Sequence, residues 1–136
     1  MHVSESIAID AAPDKVWRIA GDIGNVSRWI PALESSRLEG DIRHADFAGG
    51  GGSARERIVE RDDAARYYVY EYLDGPLALK EYRSRFAVQA QPNGTSLVTW
   101  DSYLTAGSAE EEGALAKAIS GIYADALAKL AGQFRP

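Results

Sequence analysis

The feature that most constrains the fold is a long apolar stripe near the C-terminus. Its members recur at helical spacing and are Leu115, Ile119, Ile122, Tyr123, Ala126, Leu127, Leu130 and Phe134. The stripe predicts an amphipathic helix of about seven turns, and Ser108 followed by Glu111 predicts a capping box at its start. Because a helix of this length must bury its apolar face, the rest of the chain has to supply a large apolar surface.

That surface is predicted to be an antiparallel sheet, because the preceding chain alternates between strand patterns and tight-turn signals. The predicted strands cover residues 3–9, 35–38, 42–47, 54–61, 66–73, 79–90 and 95–105. Two short helices, one beginning at Pro13 and one over residues 23–29, follow the first strand. We therefore expect an α+β fold over residues 1–136, in which a single domain wraps a curved sheet of about seven strands around the terminal helix.

Charge and composition exclude several classes of function. The formal net charge of −5 disfavours nucleic acid and anionic membranes as partners. The chain has no cysteine, and His2 and His44 are isolated, so we expect no metal site and no cofactor. Gly49–Gly52 is followed by a predicted strand, which does not match a nucleotide-binding loop. With no signal-peptide pattern and no apolar run long enough to cross a bilayer, a cytoplasmic protein is expected.

Alternation along three predicted strands brings aromatic and hydroxyl side chains onto common faces. These sets are Tyr68, Tyr70 and Tyr72, then Tyr82, Ser84, Phe86 and Val88, and finally Val98, Trp100, Ser102 and Leu104. If all three faces line the concave side of the sheet, they form apolar walls with a few hydroxyls, which is typical of a small-ligand pocket. The alternative is a solid core in which the same side chains pack against one another.

Arg43 and Glu56 are the charged residues that bear most directly on chemistry. They lie on strands joined through the glycine turn, and both are able to point inward. Inside a cavity the pair would orient a polar group of a ligand, and a neutralised Glu56 would serve as a general acid or base. The alternatives are a structural ion pair or two solvated surface charges.

The order of the elements and several short motifs resemble the START-like or Bet v 1-like (SRPBCC) superfamily. The markers are Ala12-Pro13, Val16-Trp17, Trp29-Ile30-Pro31, Gly40-Asp41-Ile42-Arg43, Glu56-Arg57-Ile58, Asp74-Gly75-Pro76-Leu77 and Val98-Thr99-Trp100. Within that superfamily the chain is similar to the polyketide cyclase/dehydrase and lipid-transport branch. The resemblance implies a helix-grip fold with an internal cavity, and it places Trp29 near the entrance, either as a gate or as an anchor for the short helix.

Taken with the strand faces, the resemblance predicts the residues that contact a ligand. They are Trp29, Arg43, Glu56, Tyr70, Tyr82, Phe86, Trp100, Ile119 and Tyr123. The favoured hypothesis is a binder or carrier of a small hydrophobic molecule, such as a lipid, a polyketide or an aromatic compound. The alternative is a cyclase or dehydratase with Arg43, Glu56 and Tyr82 as catalytic candidates. A protein–protein module ranks last, since it needs an exposed apolar patch and the sequence shows no clear one. A monomer or homodimer is expected.

Overall fold

The computed structural model describes residues 1–135 and contains seven strands and two α-helices. The strands are β1 (His2–Ile9), β2 (Leu33–Glu39), β3 (Ile42–Phe47), β4 (Ser53–Asp62), β5 (Tyr67–Asp74), β6 (Glu81–Ala90) and β7 (Ser96–Thr105). The helices are α1 (Pro13–Ala20) and α2 (Ala109–Gly132), and short 3-10 helices cover Ile23–Arg28 and Ala48–Gly50. The predicted order of strand, two short helices, further strands and one long helix is confirmed.

All seven strands belong to one antiparallel sheet with the order β1-β7-β6-β5-β4-β3-β2. Six consecutive strands pair with their sequence neighbours, and β1 pairs with β7, with Val3 opposite Ser102 and Ile7 opposite Val98. The chain crosses from one edge of the sheet to the other through α1 and the 3-10 helix Ile23–Arg28. The expected α+β helix-grip architecture is therefore confirmed.

The predicted faces of the three central strands all point inward. On β6 the side chains of Tyr82, Ser84, Phe86 and Val88 are buried, whereas the intervening Arg83 and Arg85 are exposed. On β7 Val98, Trp100, Ser102 and Leu104 are buried as predicted. Since alternate side chains of a strand point to opposite sides, this pattern gives the sheet one apolar concave face and one solvated face.

Helix α2 begins with the predicted cap and buries five residues of the predicted stripe, Ile119, Tyr123, Ala126, Leu127 and Leu130. Leu115, Ile122 and Phe134 are half-buried, and Phe134 lies beyond the end of the helix. Ser108 Oγ accepts a hydrogen bond from the backbone N–H of Glu111 at 3.1 Å. The Glu111 carboxylate accepts from the N–H of Gly107, at 3.3 Å, rather than from that of Ser108, so the box closes one residue earlier than predicted. The three acidic residues of the first turn, Glu110, Glu111 and Glu112, also suit the positive end of the helix dipole.

The position of α2 explains where free space remains in the interior. The helix lies closest to β1 and β7, and Ser120 Oγ donates a hydrogen bond to the Glu5 carboxylate of β1 at 3.1 Å. Its buried side chains include Ile119, Tyr123 and Leu127. Because the helix follows one end of the sheet, the concave face of β3, β4 and β5 is covered less completely, and a cavity forms there.

Trp29 anchors the short helix and is fully buried, which excludes the exposed gate considered above. Its ring lies 5.5 Å from that of Phe86 and 5.7 Å from that of Trp100, measured between ring centroids. Among residues 1–135, nothing accepts a hydrogen bond from its buried Nε1–H.

Within the same range, no helix is both long and apolar enough to span a bilayer.

Candidate functional site

A cavity lies between α2 and the part of the sheet formed by β3–β7, and its volume is about 70 Å³. Seven of the nine predicted ligand-contacting residues line it: Arg43, Glu56, Tyr70, Tyr82, Trp100, Ile119 and Tyr123. Trp29 and Phe86 do not line the cavity. They belong instead to the packed aromatic core directly behind Trp100, where Phe86 meets the Trp100 ring edge-on at 5.3 Å.

Most of the remaining wall is aliphatic. None of these residues is among the nine predicted ligand contacts, and only Tyr72 lies on a strand face that was predicted to line the cavity. From the strands and α2 come Leu33, Ala45, Phe47, Ala54, Tyr72 and Ile122; from the 3-10 helix and the connecting segments come Val26, Ile30, Ala32, Leu77 and Leu79. The strand residues could have been found by alternation, because Ala45 and Phe47 share the face of Arg43, and Ala54 shares that of Glu56. The residues in connecting segments carry no comparable periodic signal.

Arg43 and Glu56 form an ion pair, which was one of the arrangements considered from the sequence. They are directly opposite in the β3–β4 ladder, and Arg43 Nε donates to Glu56 Oε1 at 2.9 Å. The side chain of Arg43 is 3% exposed and that of Glu56 is 14% exposed. A buried guanidinium is costly unless it is paired and hydrogen-bonded, so this ion pair is what permits a charge in the wall of the cavity.

Further contacts hold the Arg43 guanidinium in place. Its Nη1 donates to Tyr68 Oη at 3.0 Å and to the carbonyl oxygen of Ile23 at 3.3 Å. It also lies over the ring of Tyr70, 4.7 Å from the centroid, as a cation–π contact. Burial by itself lowers the pKa of Arg43, but attraction to Tyr68, Glu56 and Tyr70 outweighs burial and leaves the pKa raised, so the guanidinium stays charged.

A cluster of hydroxyl groups forms a second polar region of the site, centred on Tyr123 Oη of α2. This oxygen is hydrogen-bonded to Ser102 Oγ at 2.5 Å, to Ser84 Oγ at 3.2 Å and to Tyr82 Oη. The Tyr123 ring is stacked on that of Trp100, with centroids 3.8 Å apart and planes 10° from parallel. The cluster therefore ties α2 to both β6 and β7 at the end of the cavity.

Tyr70 and Trp100 extend the cluster along the sheet. Trp100 Nε1 donates to Ser84 Oγ at 2.9 Å and to Tyr70 Oη at 3.1 Å, and Tyr70 Oη lies 3.4 Å from Tyr82 Oη. Burial, followed by the negative charge of Glu56, raises the pKa of Tyr70. Burial, followed by proximity to Tyr70, raises the pKa of Tyr82. Both phenols are therefore neutral hydrogen-bond donors rather than phenolates at physiological pH.

The present volume of the cavity limits what it holds without rearrangement. About 70 Å³ is roughly half of the ~150 Å³ of an apolar cavity that accepts benzene. Leu77 and Leu79 of the wall lie in the irregular connection between β5 and β6, and both are only half-buried. A ring-sized ligand therefore enters only if wall side chains move, and these two lie outside helix and strand.

Comparison with known proteins bears on the fold and on the kind of site. A family model described as polyketide cyclase/dehydrase and lipid transport matches residues 1–135. The chain belongs to this family. Within the described residues there is no group of three or more His, Asp or Glu side chains able to hold a metal ion. A search of curated proteins found no significant match.

Solved structures of other proteins share the fold over nearly the whole chain. The protein XoxI from Bacillus cereus is 31% identical, with a TM-score of 0.90 over 98% of this chain and 94% of that one. The ZhuI aromatase/cyclase from Streptomyces is 17% identical, with a TM-score of 0.76 over 98% of this chain and 92% of that one. A START superfamily protein from Mycobacterium smegmatis is 15% identical, with a TM-score of 0.76, covering 98% and 96% of the two chains. The last two similarities concern the fold alone.

Proposed function

We propose that this family member binds a small hydrophobic molecule in the cavity between α2 and the sheet, as a carrier or a sequestering protein. The observation that supports the proposal is the composition of the wall. Aliphatic and aromatic side chains surround two polar regions, the Arg43–Glu56 pair and the Tyr123 hydroxyl cluster. Apolar walls with a few placed polar groups provide both the hydrophobic driving force and the orientation that a specific ligand needs.

The narrowness of the cavity sets the expected size of the ligand. The cavity is smaller than a single ring requires, so even a substituted benzene binds only after wall side chains such as Leu77 and Leu79 move. Larger polyketides or lipids need a wider opening between α2 and the β5–β6 connection. The proposed ligand classes are a lipid, a polyketide and a single-ring aromatic compound. The single ring is the first probe to test because it is the smallest of the three.

The test uses para-propylanisole, a neutral single-ring ligand, with binding followed by the indole N–H signal of Trp100 in two-dimensional NMR. Ala45 is 4% exposed, lies in the wall and faces Ala54 across the β3–β4 ladder, so Ala45→Phe fills the cavity. Val59→Phe is the matched control, because Val59 is 38% exposed. We expect saturable binding to the native protein and to Val59→Phe, and at least about tenfold weaker binding to Ala45→Phe.

Ala45→Phe also has to be shown to fold, since overpacking a core position costs about 1–3 kcal/mol. The smaller change Ala45→Leu gives an intermediate step and is expected to weaken binding by less. Equal binding to Ala45→Phe and Val59→Phe, with both variants folded, would place the ligand elsewhere. No saturable binding to the native protein by any single-ring or lipid probe would contradict the proposal.

A cyclase or dehydratase activity is the second candidate, favoured by one specific arrangement. Arg43, Glu56 and the neutral phenol of Tyr82 all face the same cavity. Neutral hydroxyls can donate to a carbonyl oxygen while a carboxylate exchanges a proton with the adjacent carbon. Incubation with a poly-β-keto thioester, compared with Arg43→Ala and Glu56→Ala, tests these roles. Turnover retained in both variants would exclude them.

The remaining parts of the proposal concern partners and location. The net charge of −5 favours a small-molecule partner over nucleic acid. We expect the protein to act in the cytoplasm as a monomer or homodimer. Light scattering of the purified chain gives the oligomeric state, and fractionation of cells that produce it gives the location.

A further inference from the structure

The polar part of the cavity wall carries information about the charge of the occupant. Among the lining residues, Arg43 is the only cation and Glu56 the only anion. The two are already paired with each other at 2.9 Å. The wall within residues 1–135 thus holds no uncompensated positive charge to which a carboxylate ligand could bind.

The ion pair has one hydrogen-bond acceptor and one donor group without a partner among the described residues. Glu56 Oε1 accepts from Arg43 Nε, whereas Glu56 Oε2 accepts no hydrogen bond from the described part of the chain. Arg43 donates through Nε and Nη1 to Glu56, Tyr68 and Ile23, and its Nη2 donates to none of the described residues. An acceptor and a donor in the same wall are therefore available to an occupant.

We infer that the site selects a neutral ligand bearing a hydroxyl group, an alcohol or a phenol, and rejects the corresponding carboxylate. A hydroxyl donates its proton to the free oxygen of Glu56 and accepts from the guanidinium of Arg43, so it satisfies both groups at once. A carboxylate has no proton to donate, and it would lie against the Glu56 carboxylate in a poorly solvated space. This inference rests on the proposed function, since it specifies the ligand class of the same cavity.

The hydroxyl cluster at the other end of the cavity does not provide the missing cation. The hydroxyls of Tyr70, Tyr82 and Tyr123 are already hydrogen-bonded to one another and to the two serines. Breaking these bonds to solvate a carboxylate would leave buried hydroxyls unpaired. The Arg43–Glu56 pair is therefore the part of the wall that decides between a hydroxyl and a carboxylate.

The experiment compares three ligands with one skeleton: para-propylphenol, para-propylanisole and para-propylbenzoate. Affinities are measured by calorimetry at neutral pH on the native protein. The phenol is expected to bind about tenfold or more tightly than the anisole, which lacks the donor, and the benzoate most weakly. Equal affinities for phenol and anisole, or tighter binding of the benzoate, would overturn the inference and leave the proposed function standing. Failure of all three to bind would contradict both.

Two variants add an independent test of the pair. In Glu56→Gln the guanidinium loses its counter-charge, so the benzoate is expected to gain about tenfold while the phenol loses about tenfold. Glu60→Gln, an exposed position on the same strand, is the matched control and should leave all three affinities within about twofold. Should Glu56→Gln not fold, the double variant Arg43→Met/Glu56→Leu removes both charges, and phenol and anisole should then bind equally. A phenol preference that persists in that double variant would assign the selection to other groups.

Discussion

At the scale of single residues, the ion pair in the cavity wall is the feature with the largest energetic consequence. The guanidinium of Arg43 is almost completely buried, and Glu56 retains a small contact with solvent. Removing one partner of a buried pair is costly because it leaves a charge without compensation, whereas replacing both with apolar groups is often tolerated.

This difference predicts an ordering of stabilities. Glu56→Ala is expected to lower the free energy of unfolding by about 3 kcal/mol, because Arg43 stays buried and charged. The double variant Arg43→Met/Glu56→Leu is expected to cost less than about 1 kcal/mol, since no charge remains. Urea denaturation followed by far-ultraviolet circular dichroism measures both. A double variant as unstable as Glu56→Ala would show that the pair contributes through packing rather than charge.

The hydroxyl of Tyr123 is a second residue with a predictable contribution. Tyr123→Phe keeps the ring stacked on Trp100 and removes only the oxygen shared by Ser84, Ser102 and Tyr82. The expected loss in free energy of unfolding is about 1–2 kcal/mol, because buried hydroxyls lose a partner.

Tyr103→Phe serves as the matched control for Tyr123→Phe. Tyr103 is 46% exposed on the outer face of the sheet, so its change should stay within about 0.5 kcal/mol. Both values come from the same urea titration. Equal effects of the two substitutions would mean that the cluster around Tyr123 is not a stabilising network.

At the scale of elements, α2 depends on a side-chain cap from Ser108, the residue that precedes its first turn. Ser108 Oγ satisfies the N–H of Glu111, one of the four N–H groups that a helix start leaves without an intrahelical acceptor. Ser108→Ala is expected to lower the free energy of unfolding by about 1 kcal/mol. Ser108→Asp retains an acceptor and should remain close to the native value. A thermal unfolding series compares the three proteins, and equal losses in both variants would refute the capping role.

The connection between β5 and β6 is the element most relevant to ligand entry. Leu77 and Leu79 contribute to the wall, and Tyr72 Oη accepts a hydrogen bond from the N–H of Leu77 at 3.2 Å. Gly75 comes so close to Ala54 and Tyr72 that a Cβ at this position would collide with them. Tyr72 Oη also donates to the carbonyl oxygen of Leu77 at 3.3 Å, so one side chain and the close approach at Gly75 hold this part of the connection against the cavity.

At the scale of the whole molecule, the buried phenols determine how the fold responds to alkali. Burial raises the pKa values of Tyr70 and Tyr82 above the ordinary value of 10.0. Above that pH the unfolded chain releases these protons while the native state keeps them. The free energy of unfolding is therefore unaffected below the ordinary tyrosine pKa and decreases as the pH rises beyond it.

A spectrophotometric titration tests this linkage. We expect that the native protein does not reach the phenolate absorbance of all seven tyrosines until circular dichroism reports unfolding. A protein unfolded in urea should titrate all of them together near the ordinary pKa. Complete ionisation of the native protein with unchanged circular dichroism would show that Tyr70 and Tyr82 are accessible to solvent.

The sequence alone determined the architecture and the direction of most side chains. A period of two decides which residues of β5, β6 and β7 share a face, and a period of 3.6 decides which residues of α2 are buried. These repeats follow from backbone geometry, so they were predictable without coordinates. The same alternation did not decide whether Arg43 and Glu56 form an ion pair or are two solvated surface charges.

Only the tertiary structure decided which inward residues surround empty space and which fill the core. Phe86 and Trp100 both face inward and lie directly opposite each other in the β6–β7 ladder, yet only Trp100 lines the cavity. The ring of Phe86 is instead enclosed by the rings of Trp29, Tyr68 and Trp100. The hydrogen bonds of Tyr123 with Tyr82, Ser84 and Ser102 likewise form only because α2 packs against β6 and β7. Cavity volume and contacts between distant elements depend on how closely whole elements pack against one another. Local periodicity shows which way a side chain points, but it contains no information about the distance between elements.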